Sequence, residues 1–333
     1  MAVDDGECMY LPGNFLAALL LTISSAVFWG SWANTYKGTK QYPFELFYWD
    51  YILGVVLCTF AFALTLGSHG GAGESFIENL HAADPANWVY ALVAGAVFNV
   101  ANLLLVAAVD IAGLAIAFPL AIGIAVVEGV VLSYAIQPKG NVVFLACGIV
   151  LAIAAVLFDA RAYRTLTAKT AASRVGIVVS LISGVLMGGF APFVTRAMTH
   201  GHPLTCYSVA ALFGVGALLC SFIANVYFMK HPIRGAPVSF SAYGRASMRN
   251  HLLGLLGGIA WGIGGCFNFI AAGFVGVPIS YAIGQSAPLI AASWGVFVWH
   301  EFENAPKRAW VSLGWMFVLY MAAICLIAFA HNG

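Results

Sequence analysis

From Gly95 to Tyr134 the chain reads GAVFNVANLLLVAAVDIAGLAIAFPLAIGIAVVEGVVLSY, apolar almost throughout, yet it carries an acid, Glu128, deep inside its second half. Apolar runs of this length restrict the fold to membrane helices, because about 20 apolar residues in a helix span the hydrocarbon core and satisfy every backbone polar group internally. An acidic side chain at the centre of such a helix costs about 2.5–3.5 kcal/mol, whereas each Leu, Ile, Phe or Val returns about 0.3–0.6 kcal/mol. The neighbouring aliphatic residues offset that cost, so insertion is feasible and Glu128 is expected to serve function rather than stability.

The same stretch recurs. An offset of 163 residues lays Gly95 on Gly258, Phe98 on Trp261, Gly113 on Gly276, Phe118 on Tyr281 and Tyr134 on Phe297 without a gap. The echo is weak in identity and strong in hydropathy, as expected of two joined units. The acid is not repeated: Ala291 stands opposite Glu128, while Asn268 and Gln285 stand opposite Leu105 and Ile122. A symmetric frame with asymmetric polar groups is expected to hold an asymmetric site.

With 62% hydrophobic residues, 8% charged residues and a mean hydropathy of +0.92, the chain is expected to be an all-α polytopic membrane protein. Ten spans are expected, near 14–36, 44–66, 88–109, 112–136, 141–160, 174–198, 204–229, 251–275, 278–299 and 308–331. Five helices per unit invert the second unit relative to the first, giving repeats at 1–160 and 174–333 joined by a cytoplasmic loop at 161–173. Of the fourteen Lys and Arg, only Lys139 and Arg196 fall on one side of this topology; the other twelve, from Lys37 to Arg308, fall on the other. The positive-inside rule then leaves both termini outside the cytoplasm, in a chain integral to the cell membrane. The acidic start, MAVDDGECMYLPGN, is unlike a signal peptide and is read as preceding a retained first helix. Seven scattered cysteines with no CxxC pair are read as free thiols, and a net charge of +1 without basic clusters gives no reason to expect a nucleic-acid partner.

Polar and aromatic groups inside the spans mark the candidate site. Trp29 and Trp32 lie three apart on one helix face, as do Asn99 and Asn102; Trp261 and Asn268 align seven apart, and Tyr281 and Gln285 four apart. These residues, with Glu128, are expected to line one midplane cavity in which a flat solute stacks on the rings while the amides read its polar edge. Asp50 sits nearly two turns into the second helix, which opens with Pro43 and Glu45, and runs straight into Ile52-Leu53-Gly54-Val55-Val56. Glu128 and Asp50 are the candidates for carrying a proton. Gly184 and Gly188, like Gly258 and Gly262, make GxxxG spacings that bring backbones close, and Pro119, Pro192, Pro278 and Pro288 interrupt apolar helices where freed carbonyls line cavities.

The Trp29-Gly30-Ser31-Trp32 turn, the Phe44-Glu45-Leu46-Phe47-Tyr48-Trp49-Asp50-Tyr51 opening and the two five-helix units resemble the ureide permease and glucose/ribose porter branches of the drug/metabolite transporter superfamily. The resemblance implies secondary-active, proton-coupled uptake of a small uncharged polar solute: allantoin and other ureides, uracil or oxopurines, or a sugar. It also implies a coupling or substrate-orienting role for Asp50. Plant ureide permeases carry a phosphate-loop-like motif in the central loop; here 161–173 offers only Ala168-Lys169-Thr170 without glycines, so nucleotide binding is not expected there. No HExxH, GxSxG or P-loop is present and His200-Gly201-His202 is too short a metal signal, so neither an enzyme nor a cofactor is expected. The alternative is an exporter of lipophilic cations or metabolites of the same superfamily, in which a membrane Glu and several Trp side chains would hold the cation.

Overall fold

The computed structural model describes residues 9–69, 73–166, 174–232 and 236–332, with only the backbone at 110, 114, 115 and 332. The acidic start with Cys8, the Ala168-Lys169-Thr170 stretch and Arg234 lie outside the described residues.

The described chain is helical: α1 Phe15–Ser31, α2 Ala33–Lys37, α3 Phe44–Leu64, α4 Phe76–Ala82, α5 Pro85–Ala112, α6 Leu114–Ile136, α7 Val142–Tyr163, α8 Arg174–Ala197, α9 Cys206–Lys230, α10 Phe240–Gly244, α11 Met248–Val275, α12 Val277–Gly284, α13 Ala287–Phe297 and α14 Lys307–Phe329. Local chemistry sets many of the ends. Asn14, Asn141, Thr205 and Ser247 cap α1, α7, α9 and α11 through their side chains, and Ser75 with Glu78 forms a capping box on α4. Among the described residues nine helical stretches are long and apolar enough to cross a membrane, and the chain is a polytopic membrane protein.

The expected span at 278–299 is corrected. It is two short helices, α12 and α13, interrupted at Gln285 and Ser286, whose ψ angles of 2° and 5° leave the helical region. Pro288 at the start of α13 has no N–H to continue the ladder, and the Ser286 hydroxyl donates to the Ile283 carbonyl (2.6 Å), replacing one lost bond. The run is apolar on both sides of the break, which is why hydropathy reads it as one helix.

Packing follows the 163-residue offset. The close pairs α5/α8, α5/α9 and α6/α8 have counterparts in α11/α1, α11/α3 and the α12–α13 pair against α1. The two kinks match as well: Gly113 between α5 and α6 (φ 80°) and Gly276 between α11 and α12 (φ 88°) take backbone conformations that an L side chain strains to adopt. Two crossings are built on glycine. A Cβ on Gly95 would lie 1.9 Å from the Phe213 carbonyl oxygen and one on Gly216 2.1 Å from that of Leu92; in the other crossing the Cβ of Gly258 would meet Tyr51 at 1.8 Å and that of Gly54 would meet Leu255 at 2.3 Å. Backbone cannot yield as a side-chain tip does. Gly258→Ala is therefore expected to cost about 1–3 kcal/mol through overpacking, seen as a lower melting point of the purified chain; an unchanged melting point would show that α3 and α11 are not in this contact.

Candidate functional site

A cavity of about 170 Å³ lies between the helices, walled by Trp29, Gly30 and Trp32 of the first span, Phe98, Asn102 and Leu105 of α5, Phe118 and Ile122 of α6, Met187 and Phe190 of α8, Trp261 of α11, and Gln285, Pro288 and Ala291 around the α12–α13 break. Gly30, Ala33, Phe118, Pro288 and Ala291 also line a vestibule of about 300 Å³ that continues from it past Asp159 and Tyr163. The vestibule mouth is tied by polar contacts. Lys37 pairs with Glu301 and lies 4.8 Å over the Trp299 ring, Tyr163 donates to Glu301 (3.2 Å), and the Trp299 indole N–H donates to Asn34 (2.6 Å).

Aromatic packing fixes the inner wall. The Trp261 ring is stacked between Trp29 (5.7 Å, 18°) and Phe213 (5.7 Å, 12°), with Phe98 at 4.3 Å. Trp29 fits because Gly264 and Gly284 flank it; a Cβ on either would strike the indole at 2.6–2.7 Å. The Trp29 Nε1 is buried and has no acceptor among the described residues. Polar groups enter at two points. Asn102 donates to the Tyr48 hydroxyl (3.4 Å), which donates to Asn99 (3.0 Å), so the second-helix Tyr orients the amide while the Asn102 oxygen has no protein donor among the described residues. The Gln285 side chain, 8% exposed, has no hydrogen-bond partner among the described residues, and the helix break aims it at the cavity. Among the described residues no lining residue of the central cavity is charged.

The structure thus brings Trp29, Trp32, Asn102, Trp261 and Gln285 together and leaves the other candidates elsewhere. Asn99 is fully buried between Tyr48 and Ser221, joining α5 to α3 and α9. Asn268 donates to the Ser280 carbonyl (2.8 Å) and holds α12 against α11. Tyr281 donates to the carbonyls of Ala125 and Met187 (3.2 and 3.1 Å), tying α12 to α6 and α8. Glu128 is half-buried beside Gly188 and Gly189 of α8 and lines neither cavity. On α6 the cavity face is Phe118 and Ile122; six residues on, Glu128 has turned about 120° away from it.

Asp50 also lies apart from the cavity, at the end of the molecule where α3 and α11 meet the turn that carries α10. Its carboxylate accepts from Tyr42 (2.7 Å), Tyr243 (2.5 Å) and His251 Nδ1 (3.0 Å to each oxygen), and His251 Nε2 lies 3.1 Å from the Tyr243 carbonyl. Burial first, and the Asp50 carboxylate second, hold both the Tyr42 and the Tyr243 phenol above their ordinary pKa, so both remain donors. Residues that are not among the sequence candidates complete the walls: Phe118, which the offset lays on Tyr281, Met187, Phe190 and, in the vestibule, Asp159. Phe98 was legible as the offset partner of Trp261, against which it packs.

Among the described residues no group of three or more His, Cys, Asp or Glu could hold a metal ion, and the six described cysteines are free. The arrangement suits an uncharged ligand with a flat face and a polar edge.

Known proteins resemble the chain in sequence and in fold. It is 22% identical to Ureide permease 1 of Arabidopsis thaliana over 95% of this chain and 96% of that protein, and 22% identical to Ureide permease 2 over 96% and 98%. A probable glucose uptake protein, GlcU, of Staphylococcus aureus is 29% identical over 34% of this chain and 38% of its own length. One crystal structure matches in fold with a TM-score of 0.63 over 92% of this chain and 97% of the other, at 14% identity. The ureide permease family model matches residues 149–330, more than half of the chain and both halves of the α12–α13 break, and the chain belongs to the ureide permease family of membrane transporters.

Proposed function

We propose that the chain takes up a flat, uncharged ureide or oxo-nucleobase by alternating access, with residues 1–160 and 174–333 rocking as two inverted five-helix units about the central cavity and inward proton flow driving accumulation. The observation that carries the reading is the Trp29–Trp261 stack beside two amides, Asn102 and Gln285, in a cavity whose lining has no charge. Stacking surfaces tolerate any planar ring, and amides pair with alternating N–H and C=O groups without favouring a charge. The matched helix pairs and the matched kinks at Gly113 and Gly276 support the division into two units. The vestibule opens at the end bearing Lys37, which the distribution of Lys and Arg assigns to the cytoplasm, so this conformation faces inward. A lipophilic cation would lack a carboxylate in the central cavity, which disfavours export of that class.

A thermal-shift comparison of allantoin, uracil, glucose and a quaternary amine tests this. A ligand at 100 times its Kd stabilises the folded state by about 2.7 kcal/mol. Allantoin or uracil is expected to raise the melting point and the quaternary amine to leave it unchanged; a shift with glucose alone would overturn the preference for a planar solute.

A further inference from the structure

The buried stripe of α7 runs Leu145, Gly148, Ile149, Ala152, Ala155, Val156, Asp159, Ala162, spaced as one helix face, and Asp159 is its one ionisable member. Its side chain is 7% exposed, lines the vestibule, and has no Lys, Arg or His within ion-pair distance among the described residues. Its Oδ1 has no hydrogen-bond partner among the described residues. Across the α7/α14 contact the Tyr320 hydroxyl, 1% exposed, likewise has no hydrogen-bond partner among the described residues. An apolar residue would complete this stripe at no desolvation cost, and a carboxylate left there without a countercharge either carries a proton or recruits a cation.

On α7 itself Tyr163 is engaged with Glu301; α14 contributes Tyr320; α6 lines the vestibule with Phe118 and α13 with Pro288, Ala291, Ala292 and Gly295; the mouth holds Asn34, Tyr36, Trp299 and the Lys37–Glu301 pair. Arg161 and Arg164 leave the same helix into a different groove, shared with Arg308. A bare metal cation would need several oxygen ligands, and no such cluster is found among the described residues. A proton needs one lone pair and a route, and the vestibule has room for water as that route.

We infer that Asp159 is the proton-binding residue of the transport cycle, a role that rests on the proposed solute uptake. When the site faces outward, Oδ1 gains an O–H bond from a hydronium ion; when the vestibule opens inward that bond breaks and the proton passes to cytoplasmic water. One proton entering with one neutral solute moves one positive charge, so accumulation responds to membrane potential as well as to pH.

The test uses the full chain reconstituted in lipid vesicles, as wild type, Asp159→Asn and Asp159→Glu. With a one-unit inward pH gradient and one proton per solute, wild type is expected to accumulate allantoin or uracil up to about tenfold, and Asp159→Asn only to equilibrium. Counterflow at equal pH is expected to survive in Asp159→Asn, and Asp159→Glu to recover part of the gradient response. Infrared difference spectra are expected to show a protonated-carboxyl band in wild type, absent in Asp159→Asn, that fades as the pH is raised. Wild-type accumulation in Asp159→Asn, loss of its counterflow with the fold intact, drive by a sodium gradient in place of protons, or a spectrum without the band would each overturn the assignment. Absence of counterflow in wild type would refute solute transport instead, and the infrared measurement still decides whether Asp159 exchanges a proton.

Discussion

Trp261→Ala is expected to abolish measurable high-affinity uptake. The ring is 6% exposed and packs against Trp29, Phe98 and Phe213 at once, so its truncation removes one wall of the cavity and frees Trp29, whose position depends on being held over it. Two magnitudes apply. Truncating a buried Trp costs about 3–5 kcal/mol of stability, and a Trp29 ring no longer held in place as a stacking surface costs a flat ligand about 1–3 kcal/mol, or roughly 5- to 150-fold in affinity. Trp261→Phe keeps a ring behind Trp29 and is expected to retain uptake with a higher KM, which separates loss of the wall from a change in how Trp29 is held. Gln285→Leu provides the complementary measurement: it keeps the volume and removes the amide, and a weakened affinity for allantoin with an unchanged melting point is expected. Affinity that is unaffected by Trp261→Ala in folded protein would remove the ligand from this cavity.

How much of this was legible in the chain depends on what periodicity can record. Trp29 and Trp32, three apart at a helix end, read directly as one face and do line one cavity. Asn99 and Asn102 are also three apart, but the wheel does not say that Tyr48 stands between them and turns one inward and the other toward Ser221. Asn268 shares its stripe with Trp261 and is diverted by the Ser280 carbonyl of α12, a contact that a helical wheel does not show. The early end of α12 was hidden: Pro288 signalled an interruption, but hydropathy is blind to a break between two apolar halves, and Gln285 owes its exposure to that break. Glu128 stands isolated in an apolar run, whereas Asp159, two residues before Arg161, lies at the end of the span expected at 141–160 and is not among the sequence candidates. The cost of burying an acid depends on what faces it. The sequence shows the acid and not the facing side chain.

Asp50→Ala is expected to destabilise the folded chain by about 3–5 kcal/mol, the cost of removing one partner from a buried charged cluster. Asp50 is 5% exposed and is the shared acceptor for Tyr42, Tyr243 and His251, which come from the loop before α3, from α10 and from α11. Without it three donors lose their shared acceptor, and the polar tie that joins those segments to α3 is broken. Asp50→Asn keeps the shape and one acceptor oxygen, so about 1.5–3 kcal/mol is expected, the worth of a hydrogen bond to a charged group. The graded loss should appear as a lower melting point and as faster proteolysis near α10. The contrast with the vestibule acid is sharper than either magnitude. Because Asp50 is saturated by protein donors and lines neither cavity, Asp50→Asn is expected to weaken the fold while leaving pH-driven accumulation intact in the protein that remains folded, whereas Asp159→Asn should do the reverse. Loss of the pH response in Asp50→Asn at an unchanged melting point would move proton coupling to the α3/α11 junction and reduce the Tyr42–Asp50–His251 cluster from a clamp to a relay.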